Sequence, residues 1–224
     1  MSVFGNVQKS FVARFFRKLF KVKIINPENE PSDSAGAYVA CINHSSNWDP
    51  ILIGACMHRP LRYMAKSELF KVPLLKSLIK LFGAYPVKRD TADVGSVKAT
   101  ISILENGEVV GMYPQGHRAK KIHPGTVTPK GGVAMVAVKA KVGILPISII
   151  SKGYKVRAFH KTIVVFGEYI PFEQLEEMSK TEEGAATGNI ELYKKITDRV
   201  YGEILENYNK YDVLNIKKRG YIEQ

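Results

Sequence analysis

Apolar residues along the chain follow two different spacings. Short runs at 38–42 and 143–150 are almost entirely apolar and contain strand-forming residues, which is typical of buried strands. In other segments, such as 73–82, apolar residues recur every three or four positions, and this spacing indicates amphipathic helices. By the same criteria, further strands are predicted at 61–64, 83–87, 109–113 and 162–166, and further helices at 94–104, 132–141 and 192–204. Because strands alternate with helices, we predict an α/β fold, a single domain whose largely parallel or mixed central sheet is flanked by helices.

The first 25 residues form a basic amphipathic segment. They carry six lysines and arginines and no acid, and Phe11, Phe15 and Leu19 fall on one face of a predicted helix. A basic helix with aromatic anchors is typical of the interface of a bilayer, although the same apolar face could instead dock on the protein core. No run reaches the roughly 18 uncharged apolar residues that a membrane span requires. The predicted organisation is therefore a membrane-surface helical anchor at 1–25, a polar linker at 26–36 and the main domain at 37–224.

The chain has a large excess of positive charge. Its 33 lysines and arginines against 21 aspartates and glutamates give a net charge of +12 and an isoelectric point near 9.6. Such an excess favours phosphate groups, anionic membranes or acidic protein partners. The two cysteines, Cys41 and Cys56, lie among apolar neighbours and outside any Cys/His cluster. We therefore predict buried thiols in a reducing cytoplasm, and no metal site.

A histidine and an aspartate five residues apart follow the predicted strand 38–42. Asp49-Pro50 is typical of a helix start, so His44 is expected in the turn at the carboxyl end of the strand, where open α/β sheets place their sites. A carboxylate that accepts from one imidazole nitrogen leaves the other nitrogen able to take a proton. His44 and Asp49 are therefore candidates for a general base and its orienting group. A capping aspartate and a turn histidine with purely structural roles would have the same spacing.

Two basic clusters follow other predicted strands. Lys88 and Arg89 come directly after one strand, and His117 and Arg118 come after another. Each cluster taken alone is typical of a solvated turn. If the strands are parallel, however, both clusters lie at the same end of the sheet as His44. Together they predict an anion pocket beside a general base, because arginine binds carboxylate and phosphate groups through paired hydrogen bonds.

These segments resemble the sequence blocks of the glycerolipid acyltransferases, and they occur in the order that the family shows. The resemblance covers roughly residues 37–170 and rests on several blocks rather than one. The matching segments are Asn43 to Asp49 (N-H-x-x-x-x-D), the glycine-rich strand that ends in Arg89, Tyr113 to Arg118 (similar to F-P-E-G-T-R), Lys130-Gly131-Gly132 (K-x-G), and Val142 to Ile147 (similar to V-P-(I/V)-x-P-V, with Gly143 in place of the first proline).

The resemblance implies an enzyme that transfers a fatty acyl group from a thioester to a lysophospholipid hydroxyl. The chain is similar in size to bacterial members of the family that act on lysophosphatidic acid. His44 is expected to be the base, Asp49 to orient it, and Arg89 and Arg118 to bind the acceptor phosphate. The other candidate substrate-binding residues are Gln115, Gly116, His117 and Lys130, with backbone N–H groups near Gly116 as candidate donors to the oxyanion.

The same resemblance implies the partners and the location of the enzyme. The acyl donor is expected to be acyl-CoA or an acyl carrier protein, with no metal and no other cofactor. The expected partners are an anionic membrane surface, the lysophospholipid acceptor and the donor, and no nucleic acid is expected. The expected location is peripheral, on the cytoplasmic face of the membrane.

Two residues depart from the family pattern: Gln115 stands where glutamate is usual, and His117 where threonine is usual. Neither change touches His44 or Asp49, so both bear on the acceptor rather than on the chemistry. Compared with a glutamate, a glutamine would raise the net charge of the pocket by about one elementary charge, which favours a phosphate monoester over a zwitterionic head group. Alternatively, the side chain of Gln115 only shapes its turn by bonding to nearby backbone.

Three other functions are compatible with parts of the sequence. The chain could acylate another lysophospholipid or another polar acceptor. An esterase is disfavoured because the chain contains no G-x-S-x-G segment. A non-catalytic protein that binds nucleic acid or anionic membrane would explain the charge, but it would give His44 and Asp49 no role.

Overall fold

The computed structural model describes residues 11–87, 94–180 and 189–215. A seven-stranded sheet runs through these ranges, in the order β1-β7-β6-β2-β5-β3-β4. The strands are β1 (Val22–Ile25), β2 (Tyr38–Ile42), β3 (Leu61–Lys66), β4 (Ala84–Val87), β5 (Val109–Met112), β6 (Gly143–Ser151) and β7 (Thr162–Phe166). Helices cover both faces of this sheet, which confirms the predicted α/β class.

The directions of the strands bring several chain segments to one edge of the sheet. Strands β2 to β6 run parallel to one another, whereas β7 is antiparallel to β6 and β1 is parallel to β7. The carboxyl ends of five strands therefore share an edge with the amino ends of β7 and β1. The loop after β2 begins at this edge, between the segments that follow β5 and β6.

The two faces of β2 separate the core into two layers. Tyr38, Ala40 and Ile42 belong to one apolar cluster, whereas Val39 and Cys41 belong to the other. This alternation follows from the two-residue period of a strand, and burying each large apolar side chain contributes about 1.5–3 kcal/mol. Both cysteines are free and buried, as the sequence predicted.

In the described part of the chain, three helices cover the first face of the sheet and four cover the second. The first face packs against α1 (Phe11–Leu19), α2 (Asp49–Cys56) and α3 (Pro73–Leu81). The second packs against α4 (Val94–Glu105), α5 (Gly132–Ala140), α6 (Phe172–Lys180) and α7 (Asn189–Tyr211). Short 3-10 turns lie at Pro27–Asn29, Asp33–Ala35, Ser67–Lys71, Pro124–Thr126 and Lys152–Tyr154. No helix among the described residues has the length and apolar character needed to cross a membrane.

The predicted boundary between an anchor at 1–25 and a separate domain is wrong for the residues that the structure describes. Val22–Ile25 forms an edge strand that pairs with Thr162–Val165 of β7. Phe16 in the preceding helix, and Phe20 directly after that helix, are buried in the same cluster as the sheet. Sheet pairing and apolar burial therefore tie this segment to the domain, and only the outward face of α1, with Phe11 and Phe15, remains exposed.

The predicted linker at 26–36 is also part of the packed domain. The buried carboxylate of Glu30 accepts hydrogen bonds from the Tyr38 hydroxyl at 3.1 Å and from the backbone N–H groups of His58 at 2.9 Å and Arg59 at 3.0 Å. A buried carboxylate must be satisfied in this way, so the segment is fixed at the amino end of β2. Its polar composition had suggested a solvated connection.

Candidate active site

His44 and Asp49 are in direct contact at the carboxyl end of β2. Nδ1 of His44 lies 2.8 Å from Oδ2 of Asp49. His44 stands in the loop that follows β2, and Asp49 is the first residue of α2, so the short loop brings the two side chains together. The Asp49 side chain is fully buried, whereas that of His44 is 13% exposed. The buried acid therefore supports a base that can reach a substrate.

Asp49 is held by the same loop that it closes. Its Oδ2 accepts from the backbone N–H groups of Ser45 at 2.6 Å and Ser46 at 2.7 Å, in addition to its contact with His44. Donors on this oxygen offset the cost of burying a carboxylate. Because an ionised carboxylate can only accept, neutral His44 carries its proton on Nδ1 and leaves Nε2 as an acceptor.

Two residues of the loop after β5 hold other sides of His44. The ring of Tyr113 stacks on the imidazole, with centroids 4.0 Å apart and planes 20° apart. The backbone carbonyl of His44 accepts from Ala119 N–H at 2.8 Å. Burial raises the pKa of Tyr113 well above its usual range, and Asp49 and Tyr63 add to this shift. The ring therefore stays neutral and acts as a flat support for the imidazole.

Asn43 fixes the start of the loop to the neighbouring strand β6. Its side-chain amide donates to the carbonyl of Ile149 at 3.0 Å, and its side-chain oxygen accepts from the N–H of the same residue at 2.6 Å. This paired contact takes the place of strand pairing just beyond Ile42, where β2 ends. The asparagine before His44 thus has a structural role that the motif alone did not explain.

An open basic pocket of about 340 Å³ lies beside this loop. Four cationic side chains line it, and two of them come from the loop after β5, where Arg118 donates to the side-chain oxygen of Asn47. The other two, Lys155 and Arg157, come from the connection between β6 and β7. The lining residues are Ser45, Ser46, Asn47, Trp48, Arg118, Lys120, Lys155, Val156, Arg157 and Ala158.

Gln115 does not reach this basic pocket. It is 1% exposed, and its side-chain oxygen accepts from the backbone N–H of His44. With His44 and Ser45 it lines a separate small cavity of about 10 Å³. The buried side chain joins the loop after β5 to the His44 loop, which is the bonding to nearby backbone that the sequence left as the alternative role of Gln115.

The other predicted substrate-binding residues have different positions. Gly116 has a φ of +71° and its N–H donates to the carbonyl of Tyr113 at 3.0 Å, so this N–H is already used in the turn and is not a free oxyanion donor. His117 and Lys130 are exposed and do not line the basic pocket. Arg89 lies outside the described residues. Of the two arginines predicted to bind phosphate, the structure thus describes Arg118.

Lys130 and Gly131 support the site from the start of α5. The Lys130 N–H donates to the carbonyl of Pro114 at 2.8 Å, which fixes the loop after β5. Gly131 packs tightly against α7, since a Cβ at this position would lie 3.0 Å from the backbone nitrogen of Lys194. Close packing therefore explains a glycine at the middle position of the K-x-G segment, whereas a Cβ on Gly132, the last residue of the segment, would meet open space. Within 11–87, 94–180 and 189–215, no three His, Cys, Asp or Glu side chains form a potential metal site.

Comparison with known proteins agrees with this arrangement of strands and loops. The Acyltransferase family model matches residues 21–150, more than half of the chain. The chain belongs to this family. It is 31% identical over 196 residues to the 1-acyl-sn-glycerol-3-phosphate acyltransferase of Bacillus subtilis, a match that covers 86% of this chain and 91% of that protein.

Two further matches extend the comparison. A 1-acyl-sn-glycerol-3-phosphate acyltransferase of Streptococcus pneumoniae is 32% identical over 113 residues, covering 50% of this chain and 40% of that one. The crystal structure of the 1-acyl-sn-glycerophosphate (LPA) acyltransferase of Thermotoga maritima superposes with a TM-score of 0.64 and 22% identity, over 92% of this chain and 81% of that chain. This structural match supports the fold of the acyltransferase domain.

Sequence reasoning missed three residues at the site. Tyr113 was noted only as part of a block, although an aromatic residue directly after a strand beside the histidine is a candidate for stacking. Lys155 and Arg157 were not considered, because they lie beyond the last matching block. The sequence does contain a signal for them. After an apolar strand, a cation, an apolar residue and a second cation follow one another at 155–157, and in an extended segment this alternation places both cations on one side.

Proposed function

We propose that this acyltransferase moves a fatty acyl group from a thioester to the free hydroxyl of lysophosphatidic acid, which makes phosphatidic acid for phospholipid synthesis. Two relatives named 1-acyl-sn-glycerol-3-phosphate acyltransferase support the choice of acceptor. The observation that carries it is the contact of His44 with the fully buried Asp49, next to a pocket lined by four cations. A base and an anion pocket are what the acylation of a phosphate-bearing alcohol requires.

In the proposed mechanism, Nε2 of His44 removes the proton of the acceptor hydroxyl while the hydroxyl oxygen attacks the thioester carbonyl. Asp49 holds the ring in the tautomer with Nδ1 protonated and stabilises the imidazolium that forms. When the tetrahedral intermediate collapses, the carbon–sulfur bond breaks and the thiolate leaves. The proton on His44 can then pass to the thiolate, so transfer proceeds without a covalent acyl-enzyme.

We propose Arg118 as a ligand of the acceptor phosphate, together with Arg89. The guanidinium of Arg118 lies at the basic pocket and is oriented by Asn47, which also belongs to the loop between His44 and Asp49. A hydrogen bond from Arg118 to the phosphate would therefore orient the acceptor relative to the base. The proposed donor is acyl-CoA or an acyl carrier protein, with neither a metal nor another cofactor.

We further propose that the outward face of α1 rests on an anionic membrane surface, so that the enzyme is peripheral and faces the cytoplasm. Phe11 and Phe15 are 83% and 53% exposed, and Arg14 and Lys18 are exposed beside them. Apolar rings can enter the interface while each cation near the surface contributes about 1 kcal/mol of attraction to anionic lipid.

The membrane proposal is tested by sedimentation with vesicles that contain anionic lipid. Exchanging both Phe11 and Phe15 for serine should weaken binding, and high salt should weaken binding of the unmodified protein. The control is Ile190→Ser, which removes from α7 an apolar side chain about as exposed as Phe11. Equal binding of the double variant and the control would contradict this role of α1.

The test of the proposed reaction is a thioester-release assay with purified protein and a panel of lysophospholipids. We expect release of thiol with lysophosphatidic acid and formation of phosphatidic acid, and no release with the His44→Ala variant. Acyl-CoA and an acyl carrier protein thioester should be compared as donors. Release that does not depend on any added lysophospholipid would contradict the proposal.

A further inference from the structure

The basic pocket contains two cations that neither the sequence blocks nor the family match includes. Lys155 and Arg157 lie on the connection between β6 and β7, after residue 150, where the match to the Acyltransferase family model ends. Yet both line the same pocket as Arg118. This part of the pocket is therefore supplied by a segment whose role the family comparison does not describe.

The structure fixes this connection firmly against the His44 loop. Lys155 has an extended backbone, and Val156 next to it is 1% exposed and packs in the core cluster below the sheet edge. The carbonyl of Val156 accepts from the hydroxyl of Ser46 at 3.3 Å. In an extended segment the residues on either side of a buried one project to the opposite side, so Lys155 and Arg157 both face outward into the pocket.

No acid neutralises these cations among the residues that the structure describes. Neither Lys155 nor Arg157 takes part in an ion pair there, and the same holds for Arg118. Of the residues in the described ranges, none that lines the pocket carries a carboxylate. Four cations in a concave site without a counter-charge create a strongly positive local potential, which favours a ligand with more than one negative charge.

We infer that Lys155 and Arg157 join Arg118 and Lys120 in binding the acceptor head group, and that this set of cations selects a dianionic phosphate monoester over a phosphodiester. The inference rests on the proposed function and specifies its substrate class. A monoester carries nearly two negative charges at neutral pH and exposes three oxygens, whereas a diester carries one charge and has one of those oxygens blocked. The additional cations therefore favour the monoester.

The experiment measures KM for the acceptor and for the donor in Lys155→Ala, Arg157→Ala and the double variant. Two acceptors are compared, lysophosphatidic acid and lysophosphatidylglycerol, which is a phosphodiester. Each single variant should raise the KM for lysophosphatidic acid about tenfold, because it removes a charge-assisted contact. The KM for the donor should not change, and the preference for the monoester should fall most in the double variant.

A matched control uses Lys152→Ala, which removes an exposed lysine from the same connection but from outside the pocket. It should change the KM for lysophosphatidic acid by no more than about twofold, as expected for an exposed surface charge. A rise in the KM for the donor alone would assign the pocket to the thioester carrier and overturn the inference. Equal losses with both acceptors, or no loss with either, would also overturn it.

These outcomes are distinguishable from a failure of the proposed function. If the unmodified protein acylates none of the lysophospholipids, the proposed function is wrong. If it acylates lysophosphatidic acid but Lys155→Ala and Arg157→Ala retain the preference for the monoester, only the inference about the pocket is wrong. Circular dichroism of each variant shows whether the fold is retained, and an unchanged kcat shows that the catalytic pair is intact.

Discussion

The His44–Asp49 pair and the basic pocket are neighbours, but they are built in opposite ways. The pair comes from residues five positions apart, and its acid is buried and held by backbone N–H groups of the loop that it closes. The pocket comes from segments more than a hundred residues apart, and its cations are largely exposed. In the proposed mechanism the chemistry therefore resides in a rigid local unit, whereas the choice of acceptor depends on long-range packing.

The largest effect should come from breaking the rigid pair. His44→Ala should abolish turnover, and Asp49→Asn should lower kcat by about 10⁴, as loss of the correct tautomer does in a comparable triad. Turnover is measured by thiol release, with circular dichroism as a check of folding. Near-normal turnover by His44→Ala would contradict this mechanism. So would a covalent acyl adduct on Ser45, Ser46 or Cys41, detected by mass spectrometry.

A smaller effect, on binding rather than turnover, should follow from changes in the pocket. Arg118→Ala should raise the KM for the acceptor by about tenfold or more and leave the KM for the donor unchanged, because it removes a charge-assisted bond. Arg118→Lys should restore only part of this loss, since an ammonium lacks the planar fork of guanidinium. Arg89→Ala should behave like Arg118→Ala. If either alanine variant affects only the donor, the assignment of that arginine is reversed.

The stacking of Tyr113 on His44 links the two regions and should have an intermediate effect. Tyr113→Leu removes the flat support and should lower kcat several-fold, since aromatic pairs contribute about 0.5–1.5 kcal/mol beyond burial. Tyr113→Phe keeps the ring and loses only a hydroxyl whose raised pKa keeps it neutral, so kcat should change little. Equal losses in the two variants, measured at saturating substrate, would show that the hydroxyl rather than the ring matters.

The smallest effect on substrate preference is expected from Gln115→Glu. Because Gln115 is buried and bonded to the His44 backbone, the ratio of activity with lysophosphatidic acid to that with lysophosphatidylcholine should not change. The variant should be less stable, since it places a second carboxylate in the buried region around Asp49. Thermal unfolding and the activity ratio are measured together. A fall in monoester preference would restore the role for Gln115 that its chemistry first suggested.

The N-terminal segment shows why some boundaries could not be predicted from the sequence. Its basic, aromatic pattern fits both a membrane anchor and a docked helix, and the structure shows a helix with Phe16 in the core and Phe11 exposed. Val22–Ile25 is too short for its pattern of apolar residues to predict a strand. It is a strand because it pairs with β7, about 140 residues later in the chain. The residues of such a segment do not indicate which distant strand it pairs with.

The sequence by itself determined the alternation of strands and helices and the identity of the His44–Asp49 pair. Both follow from short-range rules: side-chain periodicity within an element, and the geometry of a five-residue turn after a strand. The tertiary structure alone decided that Gln115 bonds to the backbone of His44, that β1 belongs to the sheet, and that Lys155 and Arg157 line the same pocket as Arg118. These contacts join distant segments, and their positions depend on strand order and packing, which no local pattern encodes.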